Sequence, residues 1–211
     1  MLLVFFATLP VDRTCIRFSA TATPVSEPDV SLRSMSNPSL QPTASIPRSD
    51  PDGVTDEWHS LRQWLDFHRA TLRLKCDGLT DDQLRSRPLP STSLSLLGLV
   101  RHLTEVERGW FVETLAGRPI EDLYSSEDDP DGDFDGLDSH PVEEVFRRYL
   151  AAVDEARAVV ADFRSPDELR RNAAERPVTL RWVMMHMIEE YARHNGHADL
   201  LREAIDGARG E

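Results

Sequence analysis

The sequence predicts an all-α fold, a four-helix bundle over residues 55–207, on three observations. Four stretches carry apolar residues at helical spacing, cap and stop residues bracket them, and no credible strand lies between them. The first helix is expected over residues 55–78, where Thr55, Asp56 and Glu57 put an acceptor and two acids at the positive end of the dipole and Gly78 stands just past the far end. Trp58, Leu61, Trp64, Leu65, Leu72 and Cys76 follow its apolar face. TDDQL then reads as a short helical turn closed by Pro88 and Pro90. The second helix covers residues 94–116, with Leu96, Leu99, Val100, Leu103, Val106, Trp110 and Phe111 along one face and Gly117 behind it. The third begins at Pro141, a favoured first-turn residue, and carries Val145, Phe146, Tyr149, Val153 and Val160 to Phe163. The fourth runs over residues 179–206, before Gly207. Residues 117–140 form a link far longer than antiparallel neighbours need, which predicts a crossover with the second and third helices parallel.

Bulk properties narrow the function. A chain of 211 residues holds one domain with a proper core and is too short for two ordinary ones. A formal net charge of -13 with evenly scattered Arg argues against nucleic acid, and no apolar run approaches a membrane span. Cys15 and Cys76 stand far apart and form no Cys-x-x-Cys pair, so the pattern is not that of a disulfide-stapled secreted domain, and the cytoplasm is the expected location. The opening MLLVFFATLP is apolar but short for a signal core and has no basic residue ahead of it. Residues 1–54 read as an extension outside the domain, its Ser/Thr/Pro-rich stretch expected to be disordered, or as a consequence of a start codon set too early, with Met35 as the candidate start.

Polar residues on apolar faces point to chemistry. On the fourth helix His186, Glu190, His194 and His197 recur at intervals of four, four and three, on the side shared by Val183, Met187 and Leu201. A carboxylate on a core-facing stripe costs on the order of several kcal/mol unless it is paired or coordinated. Glu190 therefore needs either a salt-bridge network, with Arg193 as a candidate partner, or a metal. His102 lies at the edge of the second helix's apolar face, with Gly98 and Gly109 leaving space beside it. A single His there is open to a plain core reading, yet one His plus Glu-x-x-x-His from another helix is a recognised way to hold Zn²⁺ in a bundle. Three protein ligands leave a coordination position open, the mark of a catalytic site. In the acidic run SSEDDPDGDFDGLDS, Asp131, Asp133, Asp135 and Gly136 match the first half of an EF-hand loop. Val142 stands at the twelfth position and Pro141 interrupts, so the run reads as a solvated loop. His59, His68 and His140 are assigned to surface or packing, and Cys76 to structure.

Three segments together carry a family resemblance: LSLLGLVRHLTEVERGWF, EDDPDGDFDG and LRWVMMHMIEEYARHNGHADLLREAIDG. They resemble the DinB-like superfamily in its actinobacterial mycothiol-transferase-type branch. That resemblance implies a divalent metal held by His102, Glu190 and His194, with Zn²⁺ first in line and Ni²⁺ or another ion as alternatives. Many relatives have His where Glu190 stands, whereas the mycothiol-dependent maleylpyruvate isomerases combine His, Glu and His. His186 and His197 become candidates for orienting the ligands or touching substrate. Mycothiol is the implied co-substrate, its thiolate attacking a small electrophile, a chemistry suited to detoxification. Isomerisation ranks lower, because the isomerase relatives carry an additional C-terminal domain and this sequence ends at Glu211. The alternatives are a non-catalytic, metal-stabilised helical binding or stress protein, and a metal-assisted hydrolase. A homodimer through apolar residues such as Trp58 and Trp182 is a further expectation.

Overall fold

The structure, a computed structural model, describes residues 46–171 and 175–210. The expectations for residues 1–45, including those on Met35 and Cys15, lie outside the described residues. Just ahead of the first helix the chain is coil, and Asp52 and Gln63 exchange two hydrogen bonds there.

The described residues are mostly helical. Helix α1 (Glu57–Cys76) starts one residue later than Thr55 would set it, because the Asp56 carboxylate accepts the His59 N–H. Helix α2 (Asp81–Arg85) is fixed by a capping box between Thr80 and Gln83. Helix α3 (Leu96–Glu107), capped by Ser95, passes directly into a π-helical segment, Arg108–Leu115. The single helix expected over residues 94–116 thus changes hydrogen-bond register at Arg108, a feature that apolar periodicity does not register. Helix α4 (Gly132–Asp135) is one turn inside the acidic run. Helix α5 (Val142–Ala161) follows Pro141, and α6 (Leu180–Asp206) runs from the Thr179 cap to Gly207, whose φ of 79° is the left-handed stop that glycine accepts without strain.

Two short strands depart from the expectation of none. β1 (Leu169–Arg171) and β2 (Pro177–Thr179) pair antiparallel, with Leu169 opposite Thr179. Three residues on each side, Leu-Arg-Arg and Pro-Val-Thr, are too few to show the alternation by which a strand is read from sequence.

Contacts along the helices set their directions. Arg181 at the start of α6 binds Glu57 at the start of α1, and Lys75 near the end of α1 pairs with Asp199 at 2.6 Å, so α1 and α6 run the same way. Arg101 reaches Ser139 just before α5, while Arg118, past the π-helical segment, pairs with Glu155 late in α5. Helices α3 and α5 therefore also run the same way, joined by the long link. α3 opposes α6, since His102 meets His194 and the later Trp110 meets the earlier His186. Leu65, Leu72, Leu99, Leu103, Phe111, Tyr149, Leu180 and Met187 fill the shared core. Burying each such leucine contributes about 1.5–3 kcal/mol.

Two expectations about space and exposure are corrected. Gly98 does not leave a void beside His102, because Phe134 occupies that place and a Cβ on Gly98 would lie 3.0 Å from its ring. Trp58 packs partly against the core, whereas Trp182 is exposed. Among the described residues no helix is long and apolar enough to cross a membrane.

Candidate metal centre

Helices α3 and α6 bring His102, Glu190 and His194 together. One ligand atom from each lies within 4.8 Å of the others, a group that could hold a metal ion. The four-residue interval on α6 stacks Glu190 under His194, and the opposed α3 delivers His102 from across the core. The Glu190 and His194 side chains are 4% and 1% exposed, so water does not meet their polar atoms.

The donor atoms are left without partners. His102 Nε2, Glu190 Oε2 and His194 Nε2 are buried and have no hydrogen-bond partner among the described residues. Glu190 Oε2 and His194 Nε2 are 3.3 Å apart but too poorly aligned for a hydrogen bond. An unsatisfied buried donor or acceptor costs about 1–3 kcal/mol, so three converging on one point need a common partner. Imidazole nitrogen and carboxylate oxygen together suit a divalent cation of the zinc type. The residues present fit such an ion.

The electrostatics agree. Burial pushes the Glu190 carboxyl up, but His194, His186 and His102 outweigh it and hold the group below its ordinary value of 4.5, as a carboxylate. Burial holds the His194 imidazole below 6.5, partly opposed by Glu190, which keeps it neutral as a ligand must be.

The alternative partner for Glu190 is engaged elsewhere: Arg193 pairs with Glu189. His197 stands with its Nδ1 3.5 Å from the His194 Nδ1, on the side away from the cluster. His186 stacks on Trp182 and meets the edge of Trp110, with its Nε2 3.8 Å from Glu190. With Glu189 and Glu190 it forms a second, more exposed group of potential ligands. His59 and His140 bond to neighbours near the surface, and His68 packs beside Asn195. Cys76 is buried and its thiol is pushed up to about 12, which supports a structural role.

Sequence reasoning missed Asp133. The acidic run is not a uniformly solvated loop: Asp133 is buried, and its carboxylate Oδ2 lies 2.8 Å from His102 Nδ1. The signal for it was Phe134, an apolar residue that a solvated loop does not need. Phe134 stacks on the His102 ring, with centroids 5.2 Å apart. Reading also passed over Glu107, fully buried on α3 and bound by Arg69 and Tyr191.

A cavity of about 320 Å³ adjoins His102 and Phe134. Glu105, Glu113, Glu121, Asp122, Glu127 and Asp131 line it together with Asp133, and no Lys or Arg does.

A family model described as Mycothiol-S-transferase matches residues 60–207. No curated protein matches the chain.

Proposed function

The chain belongs to the mycothiol-S-transferase family, and from that premise we propose that it is a zinc-dependent S-transferase joining mycothiol to small electrophiles. The observation that carries this reading is the convergence of three unpartnered buried donors, His102 Nε2, Glu190 Oε2 and His194 Nε2. We read α1, α3 with its π-helical continuation, α5 and α6 as the four-helix bundle with a crossover that frames the site.

When bound, the divalent ion supplies a Lewis-acidic position that favours the thiolate form of a thiol near neutral pH. The chain's own residues do the rest. His194, held neutral by burial, and Glu190, held ionised by its histidine neighbours, keep their donor lone pairs available. His197 borders the far nitrogen of His194 and steadies the ring. Trp110 and Trp182 fix His186 over the Glu190 side of the site. The cavity beside His102 is where the reactants would enter, and the carboxylates that line it, of which Glu105 pairs with Arg108, leave it a net negative charge that repels anionic ones. Mycothiol suits that cavity because its cysteine carboxyl is closed into an amide and its sugar and inositol units are uncharged.

Consumption of a model electrophile by mycothiol, with and without zinc-loaded protein, tests the reading. A protein-dependent rate abolished by a chelator is expected, and equal rates with and without loaded protein would overturn it.

A further inference from the structure

We propose that Asp133 is a positioning residue for His102, holding its imidazole with the proton on Nδ1 so that a bare Nε2 faces Glu190 and His194. The inference rests on the metal reading above and extends it to the loop between α3 and α5.

Both oxygens of Asp133 are committed. Oδ2 lies 2.8 Å from His102 Nδ1, and Oδ1 accepts the Phe134 N–H at 3.0 Å. An ionised carboxylate only accepts hydrogen bonds, so the proton in the first contact sits on the imidazole. In the neutral form that ligation requires, the ring's lone pair is then on Nε2, the atom buried without a partner in the cluster. A carboxylate behind a ligating histidine fixes the tautomer, fixes the ring's orientation and raises its basicity. Phe134, stacked on the ring, removes most of the remaining rotational freedom.

The loop is built to present this carboxylate. Arg101, the residue just before the ligand on α3 and 1% exposed, donates to the carbonyls of Gly132 and Asp133 at 2.8 Å each, and to Ser139. Its guanidinium lies over the Tyr124 ring, 4.2 Å from the centroid. At Gly132 the backbone passes so close to Tyr124 that a Cβ would sit 2.4 Å from the Tyr124 carbonyl oxygen. These contacts hold the loop without help from the Asp133 side chain. The loop thus has anchors besides the carboxylate, and the fold is expected to survive its removal.

The test compares Asp133→Asn and Asp133→Ala with the full-length wild type in two measurements. In the metal-free, ¹⁵N-labelled proteins, long-range proton–nitrogen correlations report which His102 nitrogen carries the proton. Zinc affinity is read by competition with a chromophoric chelator. The wild type is expected to show the Nδ1–H form, and Asp133→Ala a mixture with about 10- to 100-fold weaker zinc binding. Asp133→Asn, whose amide oxygen still accepts the Nδ1–H, is expected to retain the tautomer and fall between the two. An unchanged tautomer, with zinc affinity within twofold of wild type in both variants, would overturn the inference. So would an affinity loss matched by unfolding of the metal-free variants. A wild type that binds no zinc refutes the metal reading and, with it, this role; a wild type that binds while the variants bind equally well refutes the role alone.

Discussion

Arg69 on α1 donates two hydrogen bonds to the Glu107 carboxylate on α3, each 2.7 Å long, and both side chains are buried. Tyr191 adds a third at 2.7 Å, with Tyr149 behind it. Glu190, the residue next to Tyr191, is buried in the same core and has no comparable cation. One buried carboxylate is satisfied by protein; the other faces two histidines and an unfilled bonding requirement.

Breaking the satisfied pair leaves an uncompensated buried charge. Glu107→Ala is expected to cost about 3–5 kcal/mol of stability in urea unfolding, and Tyr191→Phe about 1.5–3 kcal/mol. A Glu107→Ala loss below about 1 kcal/mol would show that the pair does not organise the core.

The metal-free protein should weaken as the solution is acidified. His194 has a folded pKa below its ordinary 6.5, so its contribution is complete above 6.5 and is lost as pH falls from there towards the folded value. Glu190 lies below 4.5, and its contribution is present above 4.5 and lost as pH falls through the folded value. Both act in the same direction. With chelator present, the urea midpoint is expected to be lower near pH 5.5 than near pH 7.5, and equal midpoints would contradict these assignments.

Cys76 should not supply the nucleophile. Its thiol is buried and pushed up to about 12, so almost none is thiolate near neutral pH. Alkylation mapped by mass spectrometry is expected to leave Cys76 unmodified in the folded protein and to modify it in urea. Rapid labelling of folded protein at Cys76 would reopen the question of a protein-derived thiol.

The acidic cavity predicts discrimination between thiols. Mycothiol should outperform glutathione, which carries two carboxylates, and added salt should narrow the gap by screening the repulsion. Removing charge with Glu113→Gln and Asp131→Asn together should raise the relative rate with glutathione. Equal rates with both thiols at low salt would remove charge as the basis of selection.

Much of the architecture was legible because α1, α3, α5 and α6 each repeat apolar residues over several turns, and Pro141 and Thr179 mark the starts of α5 and α6. Glu190 and His194 were legible as a pair because an interval of four on one helix fixes their proximity. His102 was not secured by its own helix; its place beside His194 depends on how α3 crosses α6. Asp133 was hidden for a related reason. Its burial comes from Arg101 gathering backbone carbonyls more than thirty positions further along the chain, and nothing local in an acidic run reports such a contact. The β1–β2 pair and the π-helical segment carry too few patterned residues to be read.

The most direct test of the central claim is the zinc content of the purified, full-length wild type beside His102→Ala, Glu190→Ala and His194→Ala, measured by elemental analysis after dialysis. About one equivalent is expected in the wild type and loss of bound metal in each variant, with helical content retained. A wild type without metal, or variants that keep a full equivalent, would contradict the claim.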